Sequence, residues 1–338
     1  MTDVAGMRGN GSEEGLLARV WFIDVGAGDC TLVIDVATKR ALLVDCPSWH
    51  LRDVQRLLLD EQAILDTVIV THWDLDHYGG AARLAVGLPV RRILYNHDTL
   101  FASEETPRSL IPTILKNFLN VPNADDVLES AEAGQSGAFG SVAWHILAPT
   151  HAEVTKAYVA RRRNVASAVV DLRVAGLRVL IGGDAVGETW QRLLADAQLD
   201  ADILRWPHHG ADLANDGDGK IRDGVLDAVH PSYVVFSTGA RNTHGHPSAG
   251  IVERVAARSS VLCTQVTPAC FGFISRADRM TSAARSMIEG LPSSYCAGTV
   301  YVECLADTYT LMPSSIEHGV RIEQWPQPLC RVGLPTKA

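Results

Sequence analysis

The sequence predicts an α/β fold in which mixed β-sheets are covered by helices. Three observations lead there: short β-branched runs alternate with stretches of helical apolar spacing, hairpin-like pairs recur inside the strand blocks, and no Pro- or Ser-rich linker divides the chain. The 338 residues are 47% apolar and 20% charged, the balance of a globular enzyme rather than a disordered or fibrous chain. The expected organisation is a flexible, polar, Gly-rich tail over 1–17 and one domain over 18–338, interrupted by insertions near 97–140 and 268–296.

The elements follow in order. Arg19–Asp24, Thr31–Val36 and Arg40–Asp45 are apolar runs separated by turn-rich residues, as in an antiparallel meander. Leu51–Leu59 has helical spacing, and Thr67–Thr71 reads as a buried strand. Gly79-Gly80 opens a further helix and Val90–Tyr95 is another strand. Residues 97–140 are polar and read as a cap or lid, offering a surface for a protein partner. Strands are predicted at Val142–Leu147, Ala166–Val174, Leu177–Ile181, Ile203–Trp206 and Tyr233–Ser237, and near 261–266, 299–304 and 308–312. Helices are expected at Glu188–Ala197, after Pro247 and near 276–290.

Composition also excludes some partners. The formal charge of −9 speaks against a broad duplex-binding face, which is normally basic. No run approaches the roughly 18 apolar residues of a spanning helix, and the polar N-terminus lacks the features of a signal peptide, so no membrane partner is expected. The seven cysteines form no CxxC pair, and their odd number in a large chain fits a reducing, cytoplasmic compartment with thiols acting as small buried hydrophobes.

The chemistry concentrates in His72-Trp-Asp74-Leu-Asp76-His77, four potential ligands in six residues directly after a predicted strand. Strand alternation would send His72, Asp74 and Asp76 to one side, and a turn would bring His77 to join them. Imidazoles and carboxylates on a rigid strand end suit a divalent metal; simple capping of the next helix would explain only one or two of them.

This run resembles the HxHxDH signature of the metallo-β-lactamase superfamily, and in detail the soluble hydrolase domain of ComEC-type DNA-uptake proteins and their free-standing relatives. Four further segments match that group in order: Asp24-Val-Gly-Ala-Gly-Asp29 (its DVGQGD), Gly182-Gly-Asp184 (its TGD), Ala201–Gly210 (its ADVLKVPHHG) and Asn242–Pro247 (its NxxGHP). The resemblance implies a four-layer αββα sandwich with two divalent metal ions, zinc or manganese, at one edge. It places His72 and Asp74 on one metal and Asp76, His77 and one of His208, His209 or His246 on the other, with Asp184 bridging. Asp76, Asp184 and His246 are the implied catalytic residues, and a hydroxide held between the metals is the implied nucleophile. Asp74 replaces the superfamily's second His, and Asn164–Ser167 stands where a further His is expected, so the resemblance leaves the first metal short of imidazole and biased toward harder metals.

Several further residues are open to two readings. Asp24 and Asp29 either support the ligands or cap turns. Arg161, Arg162 and Arg163, with Asn164, Ser167 and Asn242, either contact an anionic substrate or form a solvated face. A phosphodiesterase or nuclease acting on an anionic small molecule or single-stranded nucleic acid is the expected function. A lactone, ester or amide hydrolase, and a metal-binding interaction module, are the alternatives.

Overall fold

A computed structural model describes residues 14–96, 120–121, 123–213, 219–240, 244–272 and 295–330, with residues 282 and 286. Asn242, most of the tail, and much of both predicted insertions lie outside the described residues.

Among the described residues, fifteen strands form two sheets. The first contains β1 (Ala18–Phe22), β2 (Thr31–Asp35), β3 (Arg40–Val44), β4 (Ile64–Ile69), β5 (Arg92–Tyr95), β6 (Leu128–Ser130), β14 (Val300–Cys304) and β15 (Tyr309–Met312), in the order β15-β14-β1-β2-β3-β4-β5-β6. The second contains β7 (Ser136–Phe139), β8 (Val142–Ala148), β9 (Val169–Val174), β10 (Leu177–Ile181), β11 (Ile203–Arg205), β12 (Tyr233–Phe236) and β13 (Ser260–Cys263), in the order β13-β12-β11-β10-β9-β8-β7. The meander β1-β2-β3 is antiparallel as expected, whereas β3 to β6 and β10 to β13 run parallel.

Alternation along β1 explains the layering. Val20 and Phe22 face the second sheet, in one core with Val170, Leu172 and Val179. Trp21 and Ile23 face outward, in a second core with Val54, Leu57 and Leu58 of the helix Leu51–Asp60 and Leu84 of the helix Ala81–Gly87. On the far side, helices Gly187–Asp196, Lys220–Val229 and Ala249–Ala256 cover the second sheet through Trp190, Val225 and Ile251. Two sheets with helices outside each make four layers, and strands buried on both faces read as nearly continuous apolar runs.

Three expectations need correction. Residues 128–139, read as part of an inserted lid, supply β6 and β7, the edge strands of the two sheets. Strand β4 ends at Ile69, so His72 and Asp74 do not alternate along a strand; Asp74 precedes the short helix Leu75–Tyr78, and that turn carries Asp76 and His77. The helices His151–Ala160, Lys220–Val229 and Ser315–Ile322 were not anticipated. No helix among the described residues is long and apolar enough to cross a membrane.

Candidate metal centre

Parallel strands deliver their carboxyl ends to one edge, where ligands gather in open α/β sheets. The loops after β1, β3, β4, β10 and β11 meet there, together with the segment entering β9. Residues scattered from Asp29 to His209 become neighbours as a result.

Asp184 is the centre of the arrangement. Its carboxylate is buried, and its two oxygens face different imidazoles. Oδ2 lies 3.6 Å from Nε2 of His72 and 3.7 Å from Nε2 of His208. Oδ1 lies 3.4 Å from Nε2 of His77 and 3.7 Å from Nε2 of His209. Two flanking carboxylates complete the division: Asp74 Oδ2 stands 3.1 Å from His72, and Asp76 Oδ2 stands 3.6 Å from His209. One set is therefore His72, Asp74 and His208 on Oδ2, and the other is His77, Asp76 and His209 on Oδ1. His208 joins the set that the sequence left short of imidazole. Its ring lies 5.6 Å from that of His246, which sits outside both sets.

The donor set fits divalent cations. Asp184 Oδ1 is buried and accepts no hydrogen bond, an expensive arrangement for a carboxylate unless a cation meets it. The Nε2 atoms of His77 and His209 approach to 3.3 Å, a distance at which only a shared proton or a metal keeps two imidazole lone pairs from opposing each other. Electrostatics agree. Burial alone would raise the Asp184 carboxyl, but the imidazoles of His209, His77 and His72 hold it below its usual range. Burial would lower His77, yet Asp184 and Asp45 lift it well above the usual histidine value. His209 is raised to about 9 against its burial, by Asp184 and Asp29. The carboxylates thus hold positive charge here, and metal ions would replace the protons.

Supporting residues fix this geometry. Asp45, at the end of β3 with φ of 57°, accepts from Thr71 N–H at 2.8 Å and Thr71 Oγ1 at 2.7 Å, and its Oδ2 lies 2.8 Å from His77 Nδ1. That contact turns the Nε2 of His77 toward Asp184. Asp29 lies 3.4 Å from His209 Nδ1 and is ion-paired at 2.9 Å with the buried Arg205, which also donates to Thr31 and Ser237. Burial would raise the Asp29 carboxyl, but Arg205 and His209 hold it well below the usual carboxylate range. Asp29 therefore supports a ligand, whereas Asp24 does not. Asp24 accepts from Gly26 N–H and from the Gln265 amide, at 3.1 and 2.8 Å, so it organises a turn.

The predicted substrate contacts divide differently. Ser167 is fully buried; its Oγ accepts from Asp184 N–H at 2.8 Å and lies 3.5 Å from His72 Nδ1, so it positions ligands rather than touching substrate. Arg163 binds Asp74 Oδ1 at 2.6 Å and donates to the Trp73 carbonyl, tying down a ligand loop. Arg162 lies 3.7 Å from Glu188, and Arg161 ends the helix His151–Ala160 at φ of 54°. Of the three, Arg163 reaches the centre, through Asp74. Asn164 lies in the 3-10 turn Arg163–Ala166, beside Ser167.

Sequence reasoning missed Asp45, Thr71 and Arg205. Three apolar runs each end in an aspartate, at Asp24, Asp35 and Asp45, and nothing local tells which one reaches the metal loop. The backbone pays for its own part: His208 and His209 both adopt left-handed φ, at 50° and 55°, which aims both rings at Asp184.

The profile of the Metallo-beta-lactamase superfamily matches residues 23–229, well over half of the chain. The chain belongs to the metallo-β-lactamase superfamily. Among curated relatives of this superfamily member, ComE operon protein 3 of Bacillus subtilis is 24% identical over 200 residues, 56% of this chain and 22% of that protein. Recombination protein 2 of Haemophilus influenzae is 25% identical over 239 residues, 69% of this chain and 26% of that protein. The chain thus spans about a quarter of the length of these relatives. Among solved structures, Zn(2+)-bound PqqB from Methylobacterium extorquens aligns with a TM-score of 0.44 and 13% identity, over 73% of this chain and 98% of that one.

Proposed function

We propose that the chain is a two-metal phosphodiesterase acting on a single-stranded nucleic acid or a small anionic phosphodiester. The observation that carries the metal-dependent reading is the division of Asp184 between two sets of ligands, one oxygen to His72 and His208 and the other to His77 and His209. Divalent zinc or manganese bound there would supply Lewis acidity and a water of lowered pKa. In this reading His72, Asp74 and His208 hold one ion, Asp76, His77 and His209 hold the other, and Asp184 spans both.

The chain's own contribution is placement. Asp45 and Asp29 orient His77 and His209, Ser167 orients Asp184 and His72, and Arg163 keeps Asp74 in place. Burial and the imidazoles of His208 and His209 hold His246 down to about 4. It therefore stands neutral at pH 7 beside the first set, able to donate or accept one hydrogen bond from substrate. The phosphodiester preference is supported by the resemblance to ComEC-type domains and by a relative named for recombination.

The test is a panel of metal-loaded protein against single-stranded DNA, RNA, bis-p-nitrophenyl phosphate and a lactone, with Asp184→Asn as the control. Cleavage of a phosphodiester by the wild type and its loss in Asp184→Asn are expected. Cleavage of the lactone alone would replace this reading with that of a carboxylic ester hydrolase.

A further inference from the structure

We infer a second metal site, remote in sequence from the HxDxDH run and formed by two thiolates and an imidazole: Cys296, Cys330 and His318. It would hold one zinc ion and bind the C-terminal segment to the body of the second sheet. The seven cysteines are all buried, as expected of small core hydrophobes, but two of them also bring their sulfurs together beside an imidazole.

Cys296 Sγ lies 3.1 Å from His318 Nε2 and 3.5 Å from Cys330 Sγ. The ligand atoms of Cys296, His318 and Cys330 all lie within 4.8 Å of one another, and all three residues are buried. A tetrahedral zinc with Zn–S of about 2.3 Å and Zn–N of about 2.0 Å sets its ligand atoms roughly 3.5–3.8 Å apart, close to the separations seen here. A disulfide would need the sulfurs at about 2.05 Å, and every one of these cysteines is a free thiol. Hydrogen bonds between thiols are weak, so two thiols and an imidazole sharing one buried point are poorly satisfied by each other. Bulk apolar packing does not require their polar atoms to converge.

The donors come from three separate segments. Cys296 lies in the turn before β14, His318 is in the helix Ser315–Ile322, and Cys330 follows that helix. Cys296 is tied to the second sheet, since Ala297 N–H donates to the Cys263 carbonyl at 2.7 Å. His318 and Cys330 lie outside the strands. Their segment is held by apolar packing around Ile322 and Trp325, by Arg321, which donates to the Ala297 carbonyl at 2.8 Å, and by Gln327 N–H, which donates to the Cys270 carbonyl at 2.9 Å; a metal would add a further link. On binding, Cys296 and Cys330 would each release a proton to solvent and His318 would coordinate as neutral imidazole, leaving the site without net charge.

Cobalt separates this site from the imidazole–carboxylate centre, because only thiolate ligands give intense near-ultraviolet charge-transfer absorption. Full-length protein, reduced and stripped of metal, would be loaded with Co²⁺ alone. Wild type and Cys304→Ser, which alters a buried thiol on β14 outside the cluster, are expected to show the band at one equivalent; Cys296→Ser and His318→Ala are expected to lose most of it. Zinc added to the wild type should displace the cobalt and slow proteolysis within 313–330. The inference is overturned if reduced wild type takes up cobalt with no thiolate band. It is overturned equally if the band survives in both variants, or if mass analysis of the protein as purified finds Cys296 and Cys330 joined as a disulfide. Should a variant fail to fold, the wild-type spectrum still decides.

Discussion

At the scale of single residues, the centre depends on groups that never touch a metal. Arg163, open in the sequence to a substrate contact or a solvated face, places its guanidinium on Asp74 and the Trp73 carbonyl. Arg163→Ala should therefore lower metal affinity and kcat roughly tenfold while leaving KM for a phosphodiester within about threefold, in line with the loss of an outer partner of a metal ligand. Steady-state kinetics at saturating and limiting metal would check this; a rise in KM alone would return Arg163 to the substrate. Asp184→Asn should cost at least about a hundredfold in turnover with little change in melting temperature, since it removes a central electrostatic element. Asp24 offers a stability test. Burial raises its carboxyl to about 6, above the usual 3.9 of an unfolded Asp. The folded state therefore binds the proton more tightly, and this stabilisation is complete below about 4 and lost as pH rises through about 6. Asp24→Asn, whose amide oxygen can still accept from Gly26 and Gln265, should flatten that dependence and stabilise the protein at pH 8 by on the order of 2 kcal/mol. Urea unfolding at pH 4 and pH 8 would show it, and a destabilised variant at pH 8 would mean the ionised carboxylate is needed.

At the scale of elements, two loops must approach closely for the ligands to meet. Gly28 has φ of 112°, and a Cβ built there would lie 2.3 Å from the Asp76 carbonyl oxygen. The next residue, Asp29, donates its N–H to that same carbonyl at 3.1 Å. The loop after β1 thus rests on the short helix carrying Asp76 and His77, and only glycine allows it. Gly28→Ala should cost about 2 kcal/mol or more, from a disfavoured φ together with the clash. It should also reduce metal uptake, because separating the loop from the helix carries Asp29 away from His209. Thermal melts and metal content measured together would test both effects; normal metal content would show that the two loops are independent. The helix His151–Ala160 was legible in the sequence and overlooked: Thr150 and Glu153 form a reciprocal capping box. The edge strands β6 and β7 were less legible. Each is short and half-exposed, so it carries little of the apolar patterning that marks a buried strand.

At the scale of the whole molecule, net charge sets the expected response to salt. A formal charge of −9 repels a long polyanion over distances comparable with the Debye length, about 10 Å at 0.1 M salt, while a dinucleotide inside the centre feels mainly local groups. If the phosphodiesterase reading holds, raising salt from low to moderate concentration should increase kcat/KM for long single strands relative to a dinucleotide. Parallel assays across ionic strength would measure the ratio, and the opposite trend would place a basic track on the surface. The packing that fixes the centre is also global: strands from both sheets, with Trp21 and Ile23 on one face and Val20 and Phe22 on the other, must all be in register before the loop ends converge.

What the sequence determined by itself was the chemistry that is local in the chain. The mixed sheets covered by helices, the antiparallel meander and the ligand-rich run from His72 to His77 follow from residue type, periodicity and short spacing, whereas the αββα sandwich and the motifs ending in Asp184 and His209 came through the resemblance to the metallo-β-lactamase superfamily. Tertiary structure alone decided how these parts are shared out. It turned one oxygen of Asp184 to His72 and His208 and the other to His77 and His209, chose Asp45 over Asp24 and Asp35 as the partner of a ligand, and took Arg163 for Asp74. It also gathered Cys296, His318 and Cys330 from three segments. The reason is physical: periodicity tells which face of an element is apolar, but not which loops from different strands end at the same point, and that is settled only when two sheets pack with all their strands in place.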